Sequence, residues 1–289
     1  MALATAFCWT ISAGAFEAAG KRVGSLSVNL LRLLLAFLFI SVFNLFTRGM
    51  ILPFDATNST WLWLTFSGFV GFVMGDLFLF QAYVEVGSRV SMLIMSTVPP
   101  LTAITGFLLM GERITWVDFI GMLITLGGIA LVILTKGSDH QKVKFSHPVK
   151  GLTFAFLGAC GQAFGLVLSK FGMGVYDPFA ATQIRIIAGI VGFSIVLTGL
   201  KSWGKFFSAF KNRQALKFIT IGSLFGPFIG VSLSLLAVQH APTGVVSTIT
   251  SLTPVLIIPV SVYMFKEKVL PREIVGAVIS LIGVSLLFL

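Results

Sequence analysis

Residues 96–128 read STVPPLTAITGFLLMGERITWVDFIGMLITLGG, and residues 251–283 read SLTPVLIIPVSVYMFKEKVLPREIVGAVISLIG. Ser96, Pro99, Leu101, Glu112, Gly121, Ile124, Leu126 and Gly128 return 155 positions later as Ser251, Pro254, Leu256, Glu267, Gly276, Ile279, Leu281 and Gly283. Arg113 is answered by Lys268 and Asp118 by Glu273, without a gap. Two apolar segments joined by a short charged turn, the first carrying proline and the second glycine, thus occur twice. Self-similarity at a fixed offset is the mark of an internal duplication.

Working outward, the copy extends upstream. Gly71 and Gly75 map onto Gly226 and Gly230 at the same offset of 155, and Arg32 maps onto Arg185 at 153. The spacing predicts two five-span halves, residues 1–135 and 151–289, joined by a polar linker at 136–150. Each span needs roughly 20 mostly apolar residues to cross about 30 Å of hydrocarbon. The segments of that length lie near 2–20, 26–47, 61–83, 90–110 and 116–135, then 151–170, 179–200, 216–239, 242–265 and 274–289. An odd number of spans per half sends the second half into the membrane from the opposite side. The expected fold is therefore an all-α polytopic membrane protein, ten transmembrane helices in two inverted five-helix repeats.

Composition agrees. Of 289 residues, 56% are hydrophobic and 10% charged, and the mean hydropathy is +1.01, whereas soluble domains are about a quarter charged. The net charge of +10 would suggest nucleic acid in a soluble protein. Here the cations fall in short connections beside apolar spans, which points to topology and lipid headgroups, and nucleic acid is not expected as a partner. Alternate connections carry 15 and 3 Lys and Arg residues, which predicts both termini on the outer side. Cys8 and Cys160 lie inside apolar segments without metal or redox spacing and read as small packed side chains. The first span opens at Ala2 without a basic leader and reads as a mature helix rather than a signal peptide.

Asp76 is the leading candidate for chemistry. It lies mid-span, where an ionised carboxylate is costly and too short to reach water, so it needs a partner, a proton or a wet cavity. Phe80 and Tyr83 offer ring faces on following turns. The competing reading is a hydrogen-bonded packing group, since Gly71 and Gly75 invite close helix approach. Glu17 precedes Lys21 by one turn, in the order favourable to a helical ion pair. Arg32 and Arg185 stand about two turns inside their spans, from where they either reach headgroups or pair with Asp76 or a substrate carboxylate.

Pro99, Pro100, Pro254 and Pro259 each remove a backbone hydrogen bond mid-span, freeing carbonyls at Met95, Ser96, Thr250 and Val255. Such matched kinks are either gates on a transport path or static bends. Gln162, Trp9, Phe16, Tyr176 and Gln183 are candidate cavity residues, and Trp61 and Trp63 read as interfacial anchors. Gly161 with Gly165, and Gly222, Gly226 and Gly230, follow the small-residue spacing of packing seams. His140, His147 and His240 lie in or beside connections without metal spacing. Nucleotide-binding and hydrolase motifs are absent, so neither an enzyme nor a cofactor is expected.

These residues carry a resemblance. Two five-span halves, each ending in a proline-bearing helix, a GER or KEK turn and a glycine-bearing helix, resemble the drug/metabolite transporter superfamily in its ten-helix EamA-like branch. Gly111, Glu112 and Arg113 resemble the family's turn, Arg32 and Arg185 the arginine opening the second helix of each repeat, and Gly75, Asp76, Phe80 and Ala82 a glycine-aspartate signature. The resemblance implies secondary transport, more often export, of small metabolites such as amino acids or amphipathic compounds. It also implies a central cavity, no ATP requirement, a prokaryotic cell membrane, and termini in the cytoplasm, against the charge count. Whether the carrier works as a monomer or homodimer stays open, as does a channel-like or structural role. The chain departs from the pattern at Glu17, where lysine is usual and Lys170 keeps it in the second half, at Lys266, and at Val231, which stands where Asp76 would repeat.

Overall fold

The computed structural model describes residues 1–110, 115–136, 143–145, 148–240, 246, 249–266 and 269–286. The turn at Gly111, Glu112 and Arg113, its copy at Glu267 and Lys268, the linker histidines His140 and His147, and the expected start of the ninth span at Pro242 lie outside the described residues.

Helix α1 (Ala2–Val23) passes directly into α2 (Ser25–Arg48) through Gly24, whose φ of 82° is open to glycine without strain. Leu34, Leu38, Val42 and Leu45 of α2 form an exposed apolar stripe at helical spacing, a surface suited to acyl chains. Helix α3 (Asn58–Gly68) continues through a π-helical stretch (Phe69–Gly75) into α4 (Asp76–Ile94). Gly87, with φ 83° and ψ 161°, breaks α4 where the third expected span should end. A short 3₁₀ turn (Met95–Thr97) then leads to α5 (Val98–Met110), and α6 (Trp116–Ile133) closes the first half.

The linker departs from a purely polar connection. Strands β1 (Leu134–Lys136) and β2 (Val143–Phe145) pair antiparallel, Leu134 opposite Phe145. The second half runs through α7 (Val149–Met173), α8 (Pro178–Gly199), a short α9 (Trp203–Ala209) and α10 (Arg213–Ser223). Asp177 caps α8 by accepting from the Ala180 amide at 2.8 Å, with Pro178 in the first turn where its missing N–H costs nothing. A second π-helical stretch (Leu224–Gly230) leads into α11 (Val231–His240), followed by α12 (Thr253–Phe265) and α13 (Pro271–Leu286). The π stretches occupy positions 155 apart, so the duplication extends to an irregularity of the backbone.

Among the described residues, six helices are long and apolar enough to cross a membrane: 2–23, 25–48, the run 58–105, 149–173, 178–199 and 213–240. Phe119–Leu131 and Thr253–Phe265 are shorter apolar helices.

In lipid the hydrophobic effect gives helices little reason to associate, so close van der Waals packing at small residues carries the assembly. A Cβ on Gly161 would come within 2.5 Å of the Gly75 Cα, and one on Gly165 within 2.8 Å of the Gly71 Cα, so α7 lies flush on the first π stretch. The last helices of the halves meet the same way. A Cβ on Gly128 would stand 2.6 Å from the Gly276 carbonyl, and one on Gly283 2.7 Å from the Gly121 carbonyl, which makes α6 and α13 antiparallel. Thr125 and Ser280, 155 apart, sit at this crossing: the Ser280 hydroxyl donates to the Thr125 carbonyl at 3.3 Å and the Thr125 hydroxyl approaches the Ser280 carbonyl at 3.5 Å. Residue-for-residue reciprocity of this kind is the signature of an isologous contact.

Polar contacts gather alternate connections at opposite ends. One end holds Lys150 with Glu85 at 3.2 Å and Arg89 with Glu273 at 2.6 Å. The other holds the Arg48 to Asp55 pair, to which the Tyr176 hydroxyl donates at 2.9 Å. Burial, above all, pushes the Tyr176 phenol up to about 12, so it is a stable donor there.

Candidate functional site

The site grows from the end of the first π stretch. Asp76 opens α4 and is buried among helices, where an unpaired carboxylate would be costly. Its Oδ2 accepts from Arg32 Nη2 of α2 in a buried ion pair. Its Oδ1 accepts from Gln162 Nε2 of α7 at 2.6 Å, and the same amide reaches the Gly71 carbonyl at 3.3 Å. That second contact is possible because glycines 161 and 165 bring α7 flush against the π stretch. Asn29, one turn before Arg32, ties the arrangement together: its amide donates to the Asp76 carbonyl at 3.2 Å, and its oxygen accepts from Arg32 Nε at 3.1 Å.

Arg32 therefore does not reach for headgroups, and neither does Arg185; they are 3% and 4% exposed. The reason is aromatic as well as ionic. The Arg32 guanidinium stands 4.5 Å from the Phe80 ring centroid and 5.5 Å from that of Phe72, and Arg185 stands 4.7 Å over the same Phe72 ring. Ring faces attract cations most strongly where water is excluded. Two matched arginines thus meet on one phenylalanine beside one carboxylate.

These groups face a cavity of about 160 Å³ lined by both halves. Trp9, Arg32, Asp76, Phe80, Tyr83, Gln162 and Arg185 all line it. The Phe80 ring lies 4.9 Å from Phe16 and 5.3 Å from Tyr83, so the apolar wall is continuous. Glu17 does not belong to this wall. It is fully buried at the end of α1, paired with Lys21 and accepting from the Ser88 amide at 2.6 Å. Ser88 stands just past the Gly87 break, where the helix restarts, and the carboxylate takes its amide as a cap would.

The prolines divide. Pro99 and Pro254 line the cavity, whereas Pro100 and Pro259 are not part of its lining. Pro99, Pro100 and Pro254 fall in the first turns of α5 and α12, where a missing N–H is tolerated, and Pro259 is interior. The Met95 carbonyl, expected to be free, accepts from the Val98 amide, because the 3₁₀ turn tightens the chain there. The Thr250 carbonyl takes the Thr253 hydroxyl at 2.7 Å, as expected of a nearby threonine. Gln183 lies away from the cavity: it accepts from Asn44 at 2.9 Å and donates to the Ser41 hydroxyl and the Ile51 carbonyl. Tyr176 belongs to the peripheral Arg48 and Asp55 cluster, and Trp63 stacks on Phe171 at 5.9 Å.

Sequence reasoning did not single out Asn29, Phe72, Met92, Pro227 or Ser234, of which all but Asn29 line the cavity. Asn29 had a readable signal, three residues before a buried arginine and on its face. Pro227 had one too, lying between Gly226 and Gly230 inside the π stretch.

The architecture is that of an integral, multi-pass membrane protein with a charged cavity between its halves. The chain belongs to the EamA-like transporter family, whose pattern matches residues 1–134 and again 149–289. The pattern thus fits twice, once on each side of the linker. No curated protein matches the chain. Among solved structures, one titled only "Crystal structure of protein" is similar over 99% of this chain and 95% of that one, with 15% identity and a TM-score of 0.61. Likeness at that identity concerns the fold alone.

Proposed function

We propose that the protein is a secondary transporter that exports a small amphipathic metabolite by alternating access. Its units are two inverted five-helix repeats, 1–135 and 151–289, with 136–150 as linker and ten crossings in all. Antiparallel α6 and α13, meeting at the equivalent Thr125 and Ser280, support a two-fold axis lying in the membrane plane. The observation that carries the reading is the cavity itself: a buried set of ionisable groups, walled by both halves, beside backbone irregularities at matched positions. Irregular backbone deep in a membrane protein is tolerated where it is buried in protein or lines a cavity. π stretches also let a helix change register, which a rocking carrier needs.

The Asp76 and Arg32 pair is the coupling element. Protonating Asp76 releases Arg32, so a proton and the bound metabolite compete for one arrangement of α2 and α4. The test uses purified protein in liposomes. Wild type is expected to exchange its metabolite in counterflow and to drive it against a gradient when a pH difference is imposed. The double variant Asp76→Asn/Arg32→Gln leaves the buried net charge unchanged, and is expected to keep counterflow while losing the response to pH. A variant that still follows the pH gradient removes the coupling role.

A further inference from the structure

The three charged groups at the cavity do not balance. Asp76 has both carboxylate oxygens engaged, one by Arg32 and one by Gln162. Arg185 lies close enough to Asp76 to interact electrostatically, but it has no ion pair or hydrogen bond with any described residue. Its Nε is buried without an acceptor, its guanidinium rests on the Phe72 ring, and the side chain lines the cavity. A cation removed from water and left without an anion in direct contact is costly, and such groups in membrane proteins are kept for a ligand or pathway. Guanidinium is the group best shaped to take a carboxylate in two parallel hydrogen bonds.

The remainder of the wall, mostly apolar with some hydroxyls such as those of Ser12 and Ser234, defines what the carboxylate is attached to. Trp9, Phe16, Phe80, Met92, Met95 and Leu166 present rings and flexible apolar chains. The volume of about 160 Å³ is close to the ~150 Å³ of an engineered apolar cavity that takes one benzene. Among the described lining residues Asp76 is the sole carboxylate, and its charge is already compensated by Arg32, so an ammonium group would find no uncompensated anion there.

Building on the transporter reading, we infer that the substrate is a small monocarboxylate with one ring-sized apolar body and no amino group. Its carboxylate is held by Arg185 and its ring by the wall of Trp9 and Phe16. A zwitterionic amino acid, by contrast, brings a charge the cavity does not answer.

Benzoate and phenylacetate serve as probes, with benzylamine, phenylalanine and benzyl alcohol beside them. Binding to the purified protein in detergent is read by calorimetry and by the fluorescence of Trp9, isolated by subtracting the Trp9→Phe protein. The acids are expected to bind, and Arg185→Gln to weaken them by about tenfold to a hundredfold, the loss of one charged hydrogen-bonding contact. Arg185→Lys is expected to recover part of that. Arg185→Gln keeps the Asp76 and Arg32 pair intact, and its size-exclusion elution should match that of wild type. Acids that do not bind, acids that bind equally to Arg185→Gln, or tighter binding of benzylamine or phenylalanine each overturn the inference. Counterflow of the same five compounds and a panel of neutral and cationic metabolites separates the two levels. Flux of a non-acid leaves the transporter standing without this substrate class, and neither binding nor flux of any compound removes both.

Discussion

Removing Asp76 should harm the protein more than removing its partner Arg32, although the two are equal members of one ion pair. Asp76→Asn leaves Arg32 and Arg185, both buried, with no carboxylate between them. Arg32→Gln leaves Asp76 still hydrogen-bonded to Gln162 and still facing Arg185, one charge of each sign. Breaking a buried pair by deleting one partner costs about 3–5 kcal/mol. After Arg32→Gln one attraction survives, that between Asp76 and Arg185, worth on the order of 1–2 kcal/mol for unit charges not in direct contact at an effective dielectric of ~20. Asp76→Asn is therefore expected at the upper end and Arg32→Gln about 2 kcal/mol below it. At roughly 2–4 °C per kcal/mol, Asp76→Asn lowers the melting midpoint by about 10 °C and Arg32→Gln by about half as much. The assay is heating in detergent followed by size exclusion of the remaining folded protein. Equal losses, or a greater loss for Arg32→Gln, refute the three-charge arrangement.

Other perturbations test the frame. Gly161→Ala drives a methyl into the Gly75 backbone at 2.5 Å, whereas Gly127→Ala meets nothing within 4 Å. The first is expected to destabilise by about 1–3 kcal/mol and the second to be neutral or slightly stabilising, and their melting midpoints in detergent compare them directly. Glu17→Gln weakens the Ser88 cap and the Lys21 pair without touching the cavity. It should lower the melting midpoint by the equivalent of about 1–2 kcal/mol and leave the affinity for the transported metabolite unchanged. Reporter fusions after Leu289 and within 136–150 check orientation: the distribution of basic residues puts the linker in the cytoplasm and the C-terminus outside, and a C-terminal fusion active only in the cytoplasm contradicts it.

What was legible in the sequence follows from what a single chain of symbols can encode. The duplication, the apolar spans and the small-residue seams are local patterns, and each has a physical counterpart in the helices and glycine crossings. A mid-span carboxylate announces that it needs a partner. It does not say which, because Arg32 lies 44 residues away and Gln162 lies 86 away on another helix. The two arginines left a choice between headgroups and a carboxylate for the same reason: their distance from a span end is readable, but the rings of Phe72 and Phe80 beside them are set by tertiary packing. Glu17 shows the converse. Its i,i+4 lysine was visible, while its main task, capping the Ser88 amide, exists because Gly87 breaks α4.

The duplication also explains where the site is, through the places at which the copies stop matching. The first π stretch is followed by Asp76, and α7 lies on it backbone to backbone through Gly161 and Gly165. The second is followed by Val231, and there α1 meets Gly222, Gly226 and Gly230 with the side chains of Phe16, Ser12 and Trp9. One crossing is flush, and the other is filled by side chains, chiefly aromatic. Space therefore opens on the α1 side, while the charges collect on the α4 side. A substrate lying between them meets rings at one end and the guanidinium of Arg185 at the other. Perfectly repeated halves would have placed either two glycine seams there, leaving no room, or two carboxylates, leaving no free cation. The repeat builds the frame, and Asp76 against Val231 gives the cavity its polarity.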